Sequence, residues 1–256
     1  MKIAITGSTG LIGSRIVELL SPDLTFIPVT QQEVDITNRE SLENKLNNLD
    51  FDLFLHLAAY TNVDGAEEQR DLAYAINVTG TKNVFETVQA KGKKFIHVST
   101  DFVFDGEQPP YYEDSVPHAI SYYGQTKLDA ENIVKGNAMI VRLSYPYRAA
   151  FEPKKDFMRV IKSLLEQGKE LKMVSDSLMT PTFVDDIAYS LKYLINNYTP
   201  EIFHVVGADS MSPYEAGKLI AQTFGLDENL VQPTTYEEYF AGKAQRPRLA
   251  EIKTSQ

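Results

Sequence analysis

Tyr123 and Lys127 stand four residues apart in Ser121–Lys135, a segment whose pattern predicts a helix, so both side chains project from one face. A phenol with a pKa near 10 is a poor acid–base group at neutral pH, but a neighbouring ammonium favours the phenolate and lowers that value. Such a pair suits protonation of an alkoxide as a hydride reaches a carbonyl carbon. With 14 tyrosines in the chain the spacing arises easily by chance, so it needs company. Tyr122 has no such partner, because Thr126 lies four residues on. Ser99-Thr100-Asp101 supplies a third member at the carboxyl end of an apolar run, where open α/β sheets hold their ligands. A hydroxyl there could hydrogen-bond a substrate carbonyl while the tyrosine donates.

A second chemistry lies at the N-terminus. Gly7, Gly10 and Gly13 follow the run Lys2–Thr6 and open an amphipathic stretch through Leu11 and Ile12. Glycines at that spacing permit a tight turn and close backbone approach, so that a pyrophosphate meets free amides at a helix N-terminus. An acid at the tip of the next strand would hold a ribose hydroxyl. Here the tip reads Val29-Thr30-Gln31-Gln32, with Glu33 and Asp35 slightly late, so neither strict NAD nor strict NADP selection follows. Asp35 either reaches an adenine edge or caps a turn before Ile36-Thr37.

These residues need a scaffold. Short apolar runs at 2–6, 25–30, 52–59, 94–100 and 138–144 alternate with helical patterns at 11–20, 41–49, 66–90 and 121–135. The helix over 66–90 is expected to bend near Val78–Thr81, and Asn38 or Ser41 to cap the one before it. Near-continuous apolar strands alternating with helices predict a Rossmann-type α/β fold, a doubly wound parallel sheet, with a smaller C-terminal substrate lobe. Beyond Ser144 a Tyr-, Pro- and Arg-rich loop runs to Pro153, followed by helices over 154–167, 183–197 and 213–224 and strands over 170–174 and 202–206. The dinucleotide-binding domain is expected over 1–145, completed by about 183–206, with 146–256 mainly substrate lobe; 227–256 has no assignable pattern.

Composition narrows the partners. Over 256 residues, 25 basic against 35 acidic side chains leave a formal charge of −10, which disfavours nucleic acid and anionic lipid. Zero cysteines exclude disulfides, thiolate zinc sites and cysteine nucleophiles. The N-terminus shows no long apolar targeting segment, and no run approaches a membrane span, so a cytoplasmic protein is expected. His56 and His97 lie within apolar strands and read as core histidines bonded to backbone; His118 and His204 show no metal-ligand spacing, and no metal site is expected. Glu67-Glu68 and Glu237-Glu238 read as solvated faces, and Asp185-Asp186 as the opening of a helix. In so acidic a chain Arg246 and Arg248 are candidates for a diphosphate, or else serve solubility.

GSTGLIG, STDFVFDG and YGQTKLDAE resemble the extended short-chain dehydrogenase/reductases. HLAAYTNVDGAE, INVTGTKNV and RPRLAE are similar to the dTDP-4-dehydrorhamnose reductase subfamily among them. The resemblance implies an NADPH- or NADH-dependent reduction of a 4-keto group on a nucleotide-sugar substrate, and a homodimer. It implies that Gly7, Gly10, Leu11, Ile12 and Gly13 hold the pyrophosphate, and that Asp35 and Ile36 lie beside the adenine. Ala59, Tyr60 and Thr61 would line the cleft, with Val98 near the nicotinamide. Thr100, Tyr123 and Lys127 would form the catalytic triad, and Tyr123 and Lys127 would also contact cofactor. Thr100 and Asp101 would also touch the sugar, and Tyr145 and Arg246 are further candidates for the substrate. The subfamily commonly carries a tryptophan where this chain has Ser144-Tyr145-Pro146-Tyr147; Tyr145 could stack on a sugar or a base. The sequence ends soon after Arg248, where the family usually continues into a helical segment, which implies either a shortened chain or a reduced substrate lobe. A related epimerase with retained NAD and a non-catalytic regulatory subunit are the alternatives. Asp101-Phe102, in place of Asp-Glu, argues against a dehydratase.

Overall fold

A computed structural model describes residues 1–255. Its first elements are β1 (Lys2–Thr6), α1 (Leu11–Leu20), β2 (Thr25–Pro28), α2 (Arg39–Asn47) and β3 (Leu53–His56). The next stretch reads as one bent helix in sequence but breaks into α3 (Val63–Glu68), α4 (Arg70–Tyr74), a π-helical turn at Ala75–Gly80 and α5 (Thr81–Ala90). Gln69, at φ −114° and ψ 52°, leaves the helical region and separates α3 from α4. The π turn holds the β-branched and glycine cluster and swings Asn77 inward to bond the Tyr60 backbone on both sides. β4 (Lys94–Thr100), α6 (Tyr122–Val134) and β5 (Met139–Leu143) follow, then β6 (Pro146–Tyr147), α7 (Phe157–Glu166), β7 (Leu171–Val174), β8 (Thr182–Phe183), α8 (Val184–Asn196), β9 (Ile202–His204) and α9 (Pro213–Phe224). The tail adds β10 (Val231–Thr234) and α10 (Tyr236–Phe240).

Among the described residues, six strands pair in parallel in the order β2-β1-β3-β4-β5-β9. Alternation along each strand splits the core into two faces. Ile3, Ile5, Leu53, Leu55, Ile96 and Val141 pack with α1 and α8, while Ala4, Phe54, Phe95 and Ile140 pack with α2, α5 and the end of α6. Burying apolar groups on both faces is what the near-continuous hydrophobic strands require. The chain reverses its progression across the sheet between β1 and β3, which opens a crevice at their carboxyl ends. Gly7 sits there at φ +70°, and an added Cβ would stand 3.0 Å from the Leu57 carbonyl carbon.

β7 and β10 pair beside α7 and α9, with Ile161, Leu165, Met173, Ile220 and Val231 as a separate small core. β10 and α10 lie in the part of the tail that shows no sequence pattern. Arg148, in the loop after β6, donates to Leu11 O at 3.1 Å and Ser14 Oγ at 2.9 Å, tying that loop to α1. Asn38, not Ser41, caps α2: its side chain accepts from the Ser41 amide. No helix among the described residues is long and apolar enough to cross a membrane.

Candidate active site

One cavity of about 840 Å³ runs over the carboxyl ends of β1, β3 and β4. The glycine turn forms one end. Gly10 is the N-cap of α1 and offers no side-chain oxygen to the first-turn amides, leaving them to an anion. At Gly13 an added Cβ would stand 2.2 Å from Gly7 O, so the turn and helix pack too closely for any side chain. These residues fit a dinucleotide pyrophosphate. Thr30, Gln31, Gln32, Asp35 and Ile36 line the next stretch, with Glu33 drawn outward by Lys45. The Asp35 carboxylate accepts from the Thr37 amide and hydroxyl, a local turn at the cavity wall.

The floor is built by β4 and α6. Ser121 caps α6 by accepting from the Gly124 amide, and Gly124 lets α6 approach the turn after β4, where an added Cβ would meet Phe102 O at 2.2 Å. Tyr123 and Lys127 therefore face the cavity from one side of α6, both buried. Burial pushes the Tyr123 phenol well above its ordinary value, and the Asp101 charge adds to this; contact with the Thr100 hydroxyl acts in the opposite sense. The ammonium expected to lower it is occupied elsewhere: Lys127 Nζ donates to Val98 O at 2.8 Å and lies 3.3 Å from His97 Nε2. Burial brings Lys127 down to about 8, against the raising influence of Glu131. The floor thus presents a protonated phenol, a proton donor, beside a lysine near its midpoint at physiological pH.

Thr100 is also committed differently from expectation. Its hydroxyl donates to Asp101 Oδ1 at 2.9 Å, and Ser144 donates to Oδ2 at 2.7 Å. Asp101 is held at about 6 mainly by burial, which these two hydroxyls partly offset. Ser144 was legible only as part of an unusual tetrapeptide, because its partner lies 43 residues away.

Gly7, Gly10, Leu11, Ile12, Gly13, Asp35, Ile36, Ala59, Thr61, Val98, Thr100, Asp101, Tyr123, Lys127, Tyr145 and Arg246 all border the cavity; Tyr60 does not. Asn77 fixes the Tyr60 backbone, and its ring packs with Ala66, Ala73 and Tyr123 behind the wall. Tyr145 has φ +38°, uncommon for a residue with a Cβ, and its ring meets Phe157 edge-on at 5.9 Å. Arg246 reaches the wall with its guanidinium bonded to Asp64 and Ala244 O. Arg248 turns away to Asp176. The core histidines bond differently too: His56 lies between the Thr6 and Thr81 hydroxyls rather than backbone groups. Lys154, also on the wall, was missed; a lysine pair closing a Tyr- and Pro-rich loop in an acidic chain was the available signal.

Fold and site together define an extended short-chain dehydrogenase/reductase: a doubly wound sheet, a glycine turn at its switch point, and Tyr-x-x-x-Lys on the helix after β4. The chain belongs to the RmlD substrate-binding domain family, whose model matches residues 1–256. It is 32% identical to a probable low-salt glycan biosynthesis reductase of Haloferax volcanii, over 97% of this chain and 88% of that one. It is 31% identical to the dTDP-4-dehydrorhamnose reductase of Sinorhizobium fredii, over 83% of this chain and 74% of that one. A crystal structure of dTDP-4-dehydrorhamnose reductase from Bacillus anthracis, in complex with NADP, superposes with a TM-score of 0.91 at 33% identity, covering 98% of this chain and 89% of that one.

Proposed function

We propose that this chain reduces the 4-keto group of a nucleotide-activated deoxysugar, dTDP-4-dehydro-L-rhamnose to dTDP-L-rhamnose, with NADPH preferred and NADH accepted. The observation that carries the reading is one cavity joining the glycine turn at Gly7–Gly13 to the buried pair Tyr123 and Lys127. The relatives' names supply the sugar. The β2 tip Thr30-Gln31-Gln32 carries no acid to repel a ribose phosphate, which supports NADPH.

NADPH, when bound, supplies the hydride. The α1 amides and Gly7–Gly13 would hold its pyrophosphate, Ile36 and Asp35 would border the adenine, Val98 would lie near the nicotinamide, and Lys127 would orient its ribose. Tyr123, kept protonated by burial, gives its proton to the developing alkoxide. The Lys127 ammonium, held by Val98 O and His97 Nε2, is the positive charge one helical turn from the phenolate left behind. Thr100 polarises the carbonyl by exchanging its bond to Asp101 for one to the substrate oxygen. Tyr145, Lys154 and Arg246 at the opposite wall meet sugar and diphosphate. We assign cofactor binding to 1–145 with 183–206 and substrate binding mainly to the remainder of 146–256. We further read the chain as a cytoplasmic homodimer; the exposed Leu72 and Tyr74 on α4 offer an apolar face for association.

Oxidation of NADPH and NADH with freshly generated dTDP-4-dehydro-L-rhamnose tests the reading, alongside Tyr123→Phe. The variant should lose roughly 10²- to 10⁴-fold in kcat while still binding NADPH. Full activity in the folded variant would remove Tyr123 as the acid. Cofactor binding without turnover on the sugar would point to another keto-sugar, or to a regulatory subunit.

A further inference from the structure

We propose that His97 is a positioning residue for Lys127: its neutral imidazole accepts a hydrogen bond from Lys127 Nζ through Nε2, so that the ammonium is held by two fixed acceptors with its remaining N–H aimed at the cleft. One acceptor is Val98 O, 2.8 Å away, and the other is His97 Nε2 at 3.3 Å.

His97 belongs to a buried row in which aromatic rings do the packing. Phe54 stacks on Phe95 at 5.9 Å, Phe85 meets Phe95 edge-on, and the His56 and His97 rings stack at 5.8 Å. A phenylalanine would fill such a place. The imidazole instead leaves Nδ1 buried with no partner, a cost that pure packing does not explain. Its other nitrogen supplies the reason. An ammonium carries donors only, so close approach is attractive only where Nε2 presents its lone pair and the ring is uncharged. That fixes the tautomer with the proton on Nδ1.

The surroundings enforce the neutral form. Burial, with the Lys127 charge, lowers His97 well below its ordinary value. From β3 the row is faced by His56, whose two nitrogens are taken by Thr6 and Thr81 at 2.8 and 3.1 Å. From α6 it is faced by Lys127, with Tyr123 and Glu131 on the same helix, and Glu131 is engaged by Arg142 of β5. Asp101, at the end of β4, acts on Tyr123. His56 cannot substitute, since neither of its nitrogens is free.

The first test needs no turnover: ¹⁵N NMR of histidine-labelled protein at neutral pH, as wild type and Lys127→Met. The expected result is an unprotonated Nε2 and a protonated Nδ1 on His97, with the Nε2 resonance moving when the lysine is removed. A protonated Nε2, or one indifferent to Lys127→Met, overturns the proposal. The second test rests on the reductase reading and compares His97→Leu with His97→Gln. Leucine removes the acceptor and disfavours the ammonium, so kcat should fall roughly tenfold, as when a residue orienting a functional ligand is lost, and its alkaline limb should move to lower pH. Glutamine, which keeps an acceptor, should restore both toward wild type. A folded His97→Leu with unchanged kcat and pH profile overturns the proposal. Should the wild type turn over no keto-sugar, or the leucine variant fail to fold, the NMR result decides alone.

Discussion

The floor and the rim of the cavity are held by different kinds of interaction. At the floor, Tyr123, Lys127, Thr100 and Asp101 are buried; the Asp101 carboxylate takes the Thr100 and Ser144 hydroxyls at 2.9 and 2.7 Å, and Lys127 is held by Val98 O at 2.8 Å and His97 Nε2 at 3.3 Å. At the rim, Arg246 is tied to Asp64, whose side chain is 50% exposed, and Arg248 to a one-third exposed Asp176. Buried bonds in a low dielectric fix geometry, whereas exposed ion pairs are screened and contribute little. On the proposed function, reaction type would be set where the structure is rigid, and substrate choice where it is loosely fastened.

The sharpest way to break the floor is through Glu131, one turn beyond Lys127 on α6. Its carboxylate takes two guanidinium bonds from Arg142 on β5, at 2.9 and 2.7 Å, and both side chains are at most 3% exposed. Arg142 also lies over the Phe104 ring and beside His204. Glu131→Leu should strand a buried cation at a cost of about 3–5 kcal/mol, lowering Tm by roughly 10 °C. Replacing both partners with apolar residues of similar volume should recover most of that loss. Thermal melts of the single and double variants check this. A single variant as stable as wild type would show that α6 is not locked to β5 by this pair.

The same contrast explains what was legible in the sequence. The glycine turn and Tyr-x-x-x-Lys are local patterns, read from spacings of three and four residues; the turn forms one end of the cavity and the pair lies on its floor. The six-strand sheet was legible because each strand is apolar on both faces. Tyr60 sits between the cleft residues Ala59 and Thr61, and nothing local says that Asn77 turns it away. The break at Gln69 carries no glycine or proline signal. Other contacts join residues far apart in the chain: Asp64 to Arg246 at the rim spans 182 positions, and Ser144 to Asp101 at the floor spans 43. Thr100 reads in sequence as a donor for substrate, and only the fold brings its hydroxyl to donate to Asp101. Contacts of that kind depend on the fold, not on spacing.

A smaller effect tests whether the floor trades stability for chemistry. Burial raises Asp101 from 3.8 to about 6. The native state therefore keeps this proton in a range where the unfolded chain has lost it. The contribution favours folding below about pH 4 and is lost as pH rises through 6. Asp101→Asn, neutral at every pH, should be more stable than wild type at pH 7 by on the order of 1–3 kcal/mol, with the gain vanishing near pH 4. Its kcat should fall, because Thr100 and Ser144 lose a carboxylate. Parallel melts at the two pH values, with kinetics at pH 7, check it; equal stability at both would mean that burial does not destabilise the charged form.

The least change is expected at the rim. Arg246 holds Asp64 below the ordinary carboxylate range by a hydrogen bond of 2.8 Å, while its guanidinium also lies over the Phe240 ring. Asp64 and a substrate diphosphate would compete for the same fork of N–H groups. Asp64→Asn weakens the competitor while leaving Arg246 anchored by Ala244 O and Phe240. An exposed pair of this kind is worth at most about 1 kcal/mol, so Tm should hardly move. The KM for the nucleotide sugar should fall about two- to fivefold at low salt, with kcat unchanged. Because the competition is between exposed charges, the difference should fade once added salt shortens the Debye length to about 3 Å. A KM that ignores both the substitution and the salt would place the diphosphate away from Arg246 and leave Lys154 as the cation on that wall.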